Sequence, residues 1–164
     1  MPRWRAMFVA DLPAVQALAD VIHPDFPEDA AVFADRLMLH PAGCFMLDGD
    51  HGALGYVLSH PWRYKQPPKL NAILGEPALP ASTYYIHDLG LLPAARKTGA
   101  AAAIVETLAI HARALQLPNM TLVAVNNSVH FWRRQGFDIV VDPRLDRHLH
   151  SYDTQACFMS CDLT

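Results

Sequence analysis

Apolar residues along the chain follow two spacings, one typical of buried strands and one typical of helices. The aromatic-rich run Tyr84–Leu92 is long enough for a buried strand and closes at Pro93. Beyond it, apolar residues recur at steps of four and three, which places them on one helix face: Ala101, Val105, Leu108, Ala112 and Leu115. The pattern predicts a strand, a short turn and a helix.

The same spacings divide the rest of the chain into further elements. They predict strands at Trp4–Val9, Cys44–Leu47, Ala53–Ser59, Met120–Val125, Phe137–Val141 and Ala156–Cys161. They predict helices from Asp11 to Pro24, from about Glu28 to Leu39 and over Asn127–Gln135. Asp48–Gly52 is typical of a hairpin turn, and Gly136 is expected as a left-handed helix cap. The element order indicates an α/β (α+β) protein with a mixed sheet and helices on both faces.

Two segments carry more specific expectations. The second helix is predicted to face inward through Ala30, Phe33, Ala34 and Leu37. Residues 60–82 contain five prolines and little periodicity, which predicts an ordered loop with at most one short helical turn around Leu70–Leu74. Trp62 and Tyr64 favour a lid over a disordered linker, although they are equally compatible with packing on the core.

Composition adds limits to this picture. With 164 residues, 52% of them hydrophobic, the chain fits one domain over residues 1–164 with a real core. A net charge of −3 argues against a nucleic-acid partner. No stretch approaches the roughly 18 apolar residues that span a bilayer, so we expect a cytoplasmic protein without a membrane partner. The odd number of cysteines, three, indicates reduced thiols.

The predicted helix start at 96–101 is a candidate anion site. The first four N–H groups of a helix have no intrahelical partner, and the helix dipole leaves a partial positive charge there. Gly99, Ala100 and Ala101 would let a phosphate approach the backbone, Arg96 and Lys97 add positive charge, and Thr98 can cap the helix or donate its hydroxyl. The alternative is a helix start with a solvated basic pair.

Polar residues near the end of the chain form the other candidate cluster. Residues 142–153 are polar and rich in histidine, and they include the potential metal ligands Asp146, His148, His150 and Asp153. Close spacing in a polar loop is more typical of a solvated surface than of a metal site. We therefore expect no metal cofactor.

Two segments resemble the GNAT superfamily of N-acetyltransferases. Leu91-x-Pro93-x-x-Arg96-x-x-Gly99-x-Ala101 is similar to the phosphate loop of the family, Arg/Gln-x-x-Gly-x-Gly/Ala after a strand. Residues 125–137, VNNSVHFWRRQGF, are similar to the following family motif, which is a strand end, a helix and a closing Gly-Phe. The resemblance is specific over about residues 84–141 and agrees with the element order of the whole chain.

The resemblance implies a fold and a co-substrate. It implies a largely antiparallel sheet of six to seven strands, splayed between the fourth and fifth, and acetyl-coenzyme A as acetyl donor. The donor's pyrophosphate would lie on Arg96–Ala101, and its pantetheine would pair with the backbone near Leu89 and Leu91. In the second motif, Asn127 and Ser128 are placed to reach the pantetheine or the thioester, or else to cap the helix, and Phe131 is expected beside the cofactor.

Acetyl transfer to an amine requires a base, since the amine must lose a proton before it attacks. His87 is the best candidate in the predicted strand, with a buried structural histidine as the alternative. Tyr85 shares its strand face, and with Ser128 it completes the candidate catalytic set. Asp88 points to the opposite face unless a β-bulge intervenes.

Trp132 departs from the family pattern. Many members carry a tyrosine four residues before the closing glycine and use it as general acid, whereas an indole N–H cannot supply a proton at neutral pH. Tyr85, Ser128, water or unaided departure of the thiolate would then replace it. The sequence predicts an N-acetyltransferase that acts on a primary amine of a small molecule or peptide; the alternative is a non-catalytic acyl-coenzyme A binding module. The sequence leaves open whether the protein forms a homodimer, and it does not identify the acceptor. Trp62 and Tyr64 suggest an aromatic pocket, which Asp48 or Asp88 would suit to a cationic amine.

Overall fold

A single seven-stranded sheet organises the computed structural model, which describes residues 1–150 and 153–164. The strands are β1 Arg3–Ala6, β2 Phe45–Gly49, β3 Gly52–Trp62, β4 Thr83–Leu91, β5 Asn119–Ala124, β6 Asp138–Ile139 and β7 Cys157–Asp162. The helices are α1 Leu12–Ile22, α2 Ala30–Leu39, α3 Ala100–Ala114, α4 Val129–Arg134 and α5 Pro143–Leu149. The strand order across the sheet is β1-β2-β3-β4-β5-β7-β6.

One pair of strands in the sheet is parallel, and it opens into a gap. β4 and β5 pair only where Tyr84, Tyr85 and Ile86 face Met120, Thr121 and Leu122. Beyond Ile86 the two strands have no further pairing, whereas the other neighbours in the sheet run antiparallel. The predicted mixed, largely antiparallel sheet that splays between its fourth and fifth strands is confirmed.

A β-bulge in β4 lies at the edge of this gap. Leu58 of β3 pairs with Asp88, but the next residue, Ser59, pairs with Ile86, so His87 is the extra residue. A bulge reverses the normal alternation of side chains for one position. His87 and Asp88 therefore face the same side of the sheet. The sequence alone predicted opposite faces unless a bulge intervened, and the bulge lets both side chains reach one cleft.

Helices cover both faces of the sheet, as predicted. On one face, α1 and α2 bury Val15, Leu18, Phe33 and Leu37 against Met46, Tyr56 and Leu58. On the other face, α3 buries Ile104, Val105, Leu108 and Ala112 against Val57, Ile86, Met120 and Leu122. The apolar stripe of α3 thus follows the predicted spacing, although Leu115 is 42% exposed because it lies just past the end of that helix.

Three sequence predictions are wrong in detail. Residues 142–150 do not form a polar loop but contain α5, whose N-cap Asp142 accepts hydrogen bonds from the backbone N–H groups of Arg144 and Leu145. Positions 151 and 152 of that predicted segment lie outside the described residues. In α2 the buried face includes Val32 and Arg36 in place of Ala30 and Ala34. The strand predicted at Phe137–Val141 is only two residues long.

The proline-rich loop is ordered and lies against the body of the protein. β3 extends to Trp62, and the predicted helical turn is reduced to one hydrogen-bonded turn, in which the N–H of Ala72 donates to the carbonyl of Lys69. Asp35 accepts hydrogen bonds from the N–H groups of Leu74 and Gly75 at 3.0 and 2.8 Å. The loop is thereby fixed to α2. None of the described helices is long and apolar enough to cross a membrane.

Candidate functional site

The gap between β4 and β5 opens into a cleft of about 660 Å³. One end, here called the helix end, is formed by Arg96–Ala102 around the start of α3. The other, here called the histidine end, is formed by His23, Glu28, His87 and Asp88. Between them, Leu89 and Leu91 of β4 face the cleft from one side and Phe131 and Trp132 of α4 from the other.

The helix end presents backbone rather than bulky side chains. Gly99 is the N-cap of α3 and adopts a left-handed conformation with φ +85°, which L-residues with a side chain rarely take. Apart from Gly99 and its two chain neighbours, no atom lies within 4 Å of the position that a Cβ would occupy, so the space in front of the turn is open. Small residues and backbone N–H groups at the helix start make this a concave donor surface for an anion.

Contacts within the protein fix this helix start in place. The Trp4 indole N–H donates to the carbonyl of Ala100 at 2.8 Å, which ties β1 to the first turn of α3. The Thr98 hydroxyl donates to the Ala95 carbonyl at 2.6 Å and accepts from the N–H of Ala100 at 3.3 Å. Because Thr98 is used in this way, it supports the turn and is not among the residues that line the cleft, whereas Arg96 and Lys97 are.

At the histidine end, the His87 side chain contacts the carboxylate of Glu28. Their Nε2 and Oε1 atoms lie 2.7 Å apart, and the two side chains are only 8% and 7% exposed. The other carboxylate oxygen of Glu28 accepts the backbone N–H of Asn71 at 3.0 Å, so the proline-rich loop also holds this pair. Burial raises the pKa of Glu28, but the contact with His87 and the hydrogen bond from the Asn71 N–H together lower it overall.

A second histidine–carboxylate pair lies beside the first. Nε2 of His23, the C-cap of α1, is 2.9 Å from Oδ1 of Asp88, and the Tyr56 hydroxyl donates to Oδ2 of Asp88 at 2.6 Å. Nδ1 of His23 lies 3.0 Å from Nδ2 of Asn126, two residues beyond the end of β5. His23 therefore bridges the two strands whose divergence opens the cleft.

The charges of this second pair follow from burial and contact. Burial raises the pKa of Asp88, yet the contact with His23 lowers it overall, so the carboxylate is ionised. Burial lowers the pKa of His23, yet Asp88 raises it overall. The pKa of Tyr56 lies well above its usual value because the phenol is buried beside this carboxylate, and Tyr56 stays a hydrogen-bond donor.

The structure brings most of the predicted site residues to the cleft, with some exceptions. Tyr85, His87, Leu89, Leu91, Arg96, Lys97, Gly99, Ala100, Ala101, Ser128 and Phe131 line it. Asn127 does not, and Asn126 occupies the place that the sequence offered to Asn127. Both asparagines adopt left-handed conformations, with φ +58° and +55°, that turn the chain from β5 into α4. The Ser128 hydroxyl donates to the Val125 carbonyl at 2.6 Å.

The aromatic wall of the cleft differs from the predicted one. Trp62 donates its indole N–H to the carbonyl of Gln66, and Tyr64 packs edge-on against Phe158. Neither lines the cleft, which takes its aromatic surface from Phe26, Tyr85, Phe131 and Trp132. Asp48 pairs with Arg5 at 2.6 Å and lies outside the cleft. Trp132 is 7% exposed and packs edge-on on Phe131 and Phe137, so it belongs to the core as well.

The sequence did not indicate two residues of the histidine end, His23 and Glu28, or the tyrosine that donates to Asp88, Tyr56. They come from the end of α1, the segment before α2 and the middle of β3, and each lies more than 30 positions from His87 or Asp88 along the chain. No short motif connects them. The available signal was weak: polar side chains at the ends of two amphipathic helices.

A comparison with models of known families identifies the family of this chain. The model of the Acetyltransferase (GNAT) family matches residues 4–137. Because this match covers most of the chain, the protein belongs to the GNAT acetyltransferase family. A comparison with curated protein sequences finds no match.

Solved structures with low sequence identity share the fold. Ard1 from Thermoplasma volcanium superposes with a TM-score of 0.73 at 12% identity, covering 99% of this chain and 98% of that one. The GNAT-like decarboxylase GphF in complex with isobutyryl-CoA gives 0.74 at 18%, with 99% and 100% covered. Naa50 from Arabidopsis thaliana, in complex with the bisubstrate analogue CoA-Ac-MVNAL, gives 0.70 at 14%, with 97% of each chain covered.

Proposed function

We propose that the protein transfers an acetyl group from acetyl-coenzyme A to a primary amine of a small molecule or peptide. The single observation that carries this proposal is one continuous cleft with a bare helix start at one end and two histidine–carboxylate pairs at the other. Family membership supports the acyltransferase class, and two of the similar structures hold coenzyme A derivatives.

The helix end suits the pyrophosphate of the donor. Backbone N–H groups at Gly99–Ala101 would donate hydrogen bonds to the phosphate oxygens, and Arg96 and Lys97 would offset the phosphate charge. Leu89 and Leu91 lie on β4 where its pairing with β5 has ended, so pantetheine amides could pair with their backbone groups on that edge, where the Leu91 carbonyl accepts from Arg96 Nε at 3.3 Å. The thioester would then lie in the gap between the strands.

The histidine end suits removal of a proton from the amine. An amine reaches the site as an ammonium ion and becomes a nucleophile only when it loses a proton. His87 is the proposed base, since Glu28 at 2.7 Å would stabilise the imidazolium that forms. The amine nitrogen then attacks the thioester carbonyl directly. Tyr85 and Ser128 line the same cleft and are proposed as auxiliary polar contacts of the reacting groups.

The test is release of coenzyme A as free thiol across a panel of primary amines and peptide N-termini. We expect turnover that depends on the amine, with a mass increase of one acetyl group on the accepted compound. The alternative, a non-catalytic binding module, is favoured by Trp132, whose indole cannot supply a proton at the position where many family members carry a tyrosine. Tight binding of acetyl-coenzyme A by calorimetry without turnover on any amine would support this alternative instead.

A further inference from the structure

The departing thiolate of coenzyme A needs a proton donor, and the part of the cleft on the β5 side supplies none of its own. In the described part of the chain, the cleft is lined there by Leu122, Val123, Val125, Asn126, Ser128, Phe131, Trp132, Arg134 and Gln135. None of these residue types gains or loses a proton near neutral pH. Histidine is the side chain whose usual pKa lies in that range, and two histidines line the cleft, His23 and His87.

The two histidines contact different parts of the cleft. His87 belongs to β4 and turns its Nε2 atom toward Glu28, on the side of the helices and the proline-rich loop. His23 spans the gap, with Nε2 at 2.9 Å from Asp88 of β4 and Nδ1 at 3.0 Å from Asn126 after β5. Because the thioester is proposed to lie in that gap, a side chain that bridges it is the titratable group placed beside the sulfur.

We propose that His23, oriented by Asp88 and Asn126, donates a proton to the thiolate that leaves when the acetyl group is transferred. This assignment rests on the proposed function. It makes His23 a catalytic residue and makes Asp88, Tyr56 and Asn126 positioning residues.

The surroundings of His23 favour its proton-donating form. Burial lowers its pKa and Arg96 lowers it further, but the contact with Asp88 and the charges of Asp88 and Glu28 raise it overall. Tyr56 holds Asp88 in place from β3 without adding charge. The amide of Asn126 can serve both states, since its NH₂ donates to neutral Nδ1 and its oxygen, after a flip, accepts from Nδ1–H of the imidazolium.

The proton steps balance with two histidines. The ammonium ion gives one proton to His87, and the free amine forms a C–N bond with the thioester carbon. The C–S bond then breaks, and the sulfur takes a proton from His23. The nitrogen still carries one proton too many, which neutral His23 accepts. His23 is thus restored, the products are the amide and the thiol, and one proton leaves from His87 to water.

The experiment is the pH dependence of kcat at saturating acetyl-coenzyme A and amine. A required base gives an acid limb and a required acid gives a basic limb. For wild type we expect both limbs. For His23→Gln we expect kcat at pH 7 to fall roughly 100-fold, the basic limb to disappear and the acid limb to remain. Donor affinity by calorimetry should change less than about twofold. His51→Gln, an exposed histidine in the β2–β3 turn, is the matched control and should leave the profile unchanged.

A second variant keeps the proposal testable if His23→Gln does not fold. Asp88→Asn preserves the shape of the partner but removes its charge, so His23 should lose its proton more easily and the basic limb should move to lower pH. Each of three results would overturn the assignment of His23. The basic limb could persist in His23→Gln, it could stay at the same pH in Asp88→Asn, or wild type could show no basic limb up to about pH 10. Wild type without turnover on any amine would instead overturn the proposed function.

Discussion

The two ends of the cleft are built in different ways. The helix end is one continuous stretch, Arg96–Ala102, in which small residues leave the backbone accessible. The histidine end gathers side chains from three separate places in the chain: the end of α1, the segment before α2 and the bulge of β4. The proposed phosphate binding is thus encoded locally, whereas the proposed proton transfer depends on tertiary contacts.

The first prediction concerns the helix end and has the largest expected effect. Gly99→Glu places a carboxylate at the proposed phosphate site and forces a side chain onto a residue with φ +85°. We expect at least about a 100-fold loss of acetyl-coenzyme A affinity, close to 3 kcal/mol, measured by calorimetry.

Gly52→Glu is the matched control for this variant. Gly52 also has a positive φ, +129°, with no atom within 4 Å of an added Cβ, but it lies in the β2–β3 hairpin. The control should bear a similar backbone cost and bind the donor normally. Unchanged affinity in Gly99→Glu would remove the phosphate assignment.

The second prediction separates the two ends by kinetics. His87→Ala removes the proposed base, so kcat should fall about 100-fold, most strongly below about pH 8, while donor affinity stays nearly intact. Steady-state rates from pH 5 to pH 9 with calorimetry on the same variant check this. An unaltered pH–rate profile would make His87 a structural residue and would leave the histidine end without its proposed base.

The residues behind these two predictions differ in how well the sequence indicates their structure. The strand, turn and helix around Gly99 were predicted because apolar spacing and a glycine-containing turn are local signals. The bulge at His87 was not, since nothing in the sequence of β4 says which residue loses its pairing with β3. α5 was missed because its histidines and arginines concealed a short helix, although Asp142-Pro143 is a helix-start signal.

The side chains around the proline-rich loop also depend on partners that the sequence does not indicate. Trp62 and Tyr64 were expected to form an aromatic wall, but backbone and core contacts hold them elsewhere. Arg36 has ordinary helix spacing, yet it is fully buried, and its Nη1 donates to Asp35 and to the carbonyl of Ala72 in the proline-rich loop. Such partners are distant in sequence and become visible only in the fold.

The third prediction uses the pH dependence of stability to test the charges at the histidine end. The pKa of Glu28 is lowered in the folded protein, so its contribution to stability is present above its unfolded pKa of about 4.5 and is lost as pH falls through the lower folded value. The melting temperature of wild type should fall progressively below about pH 5. Glu28→Gln should flatten this decline, with a melting temperature at pH 7 lower by a few degrees.

The matched control for Glu28→Gln is Glu106→Gln, which changes an exposed carboxylate on α3. The control should keep the acid-dependent decline of wild type. Identical acid profiles for Glu28→Gln and wild type would show that Glu28 is not ionised in contact with His87.

The fourth prediction is the smallest and refines the helix end. Lys97 lines the cleft as an exposed cation, so Lys97→Ala should weaken donor binding only about threefold to tenfold, because solvent screens its charge. The deficit should shrink as salt is raised from low to about 0.5 M. A loss as large as that of Gly99→Glu would mean that side-chain charge, rather than the backbone, binds the anion.

A crystal structure with coenzyme A bound is the most direct test of the proposed site. We expect the pyrophosphate within hydrogen-bond distance of the N–H groups of Gly99–Ala101 and the sulfur in the β4–β5 gap, beside His23 and within reach of His87. A pyrophosphate bound away from the start of α3, or a sulfur outside that gap, would contradict the proposed site.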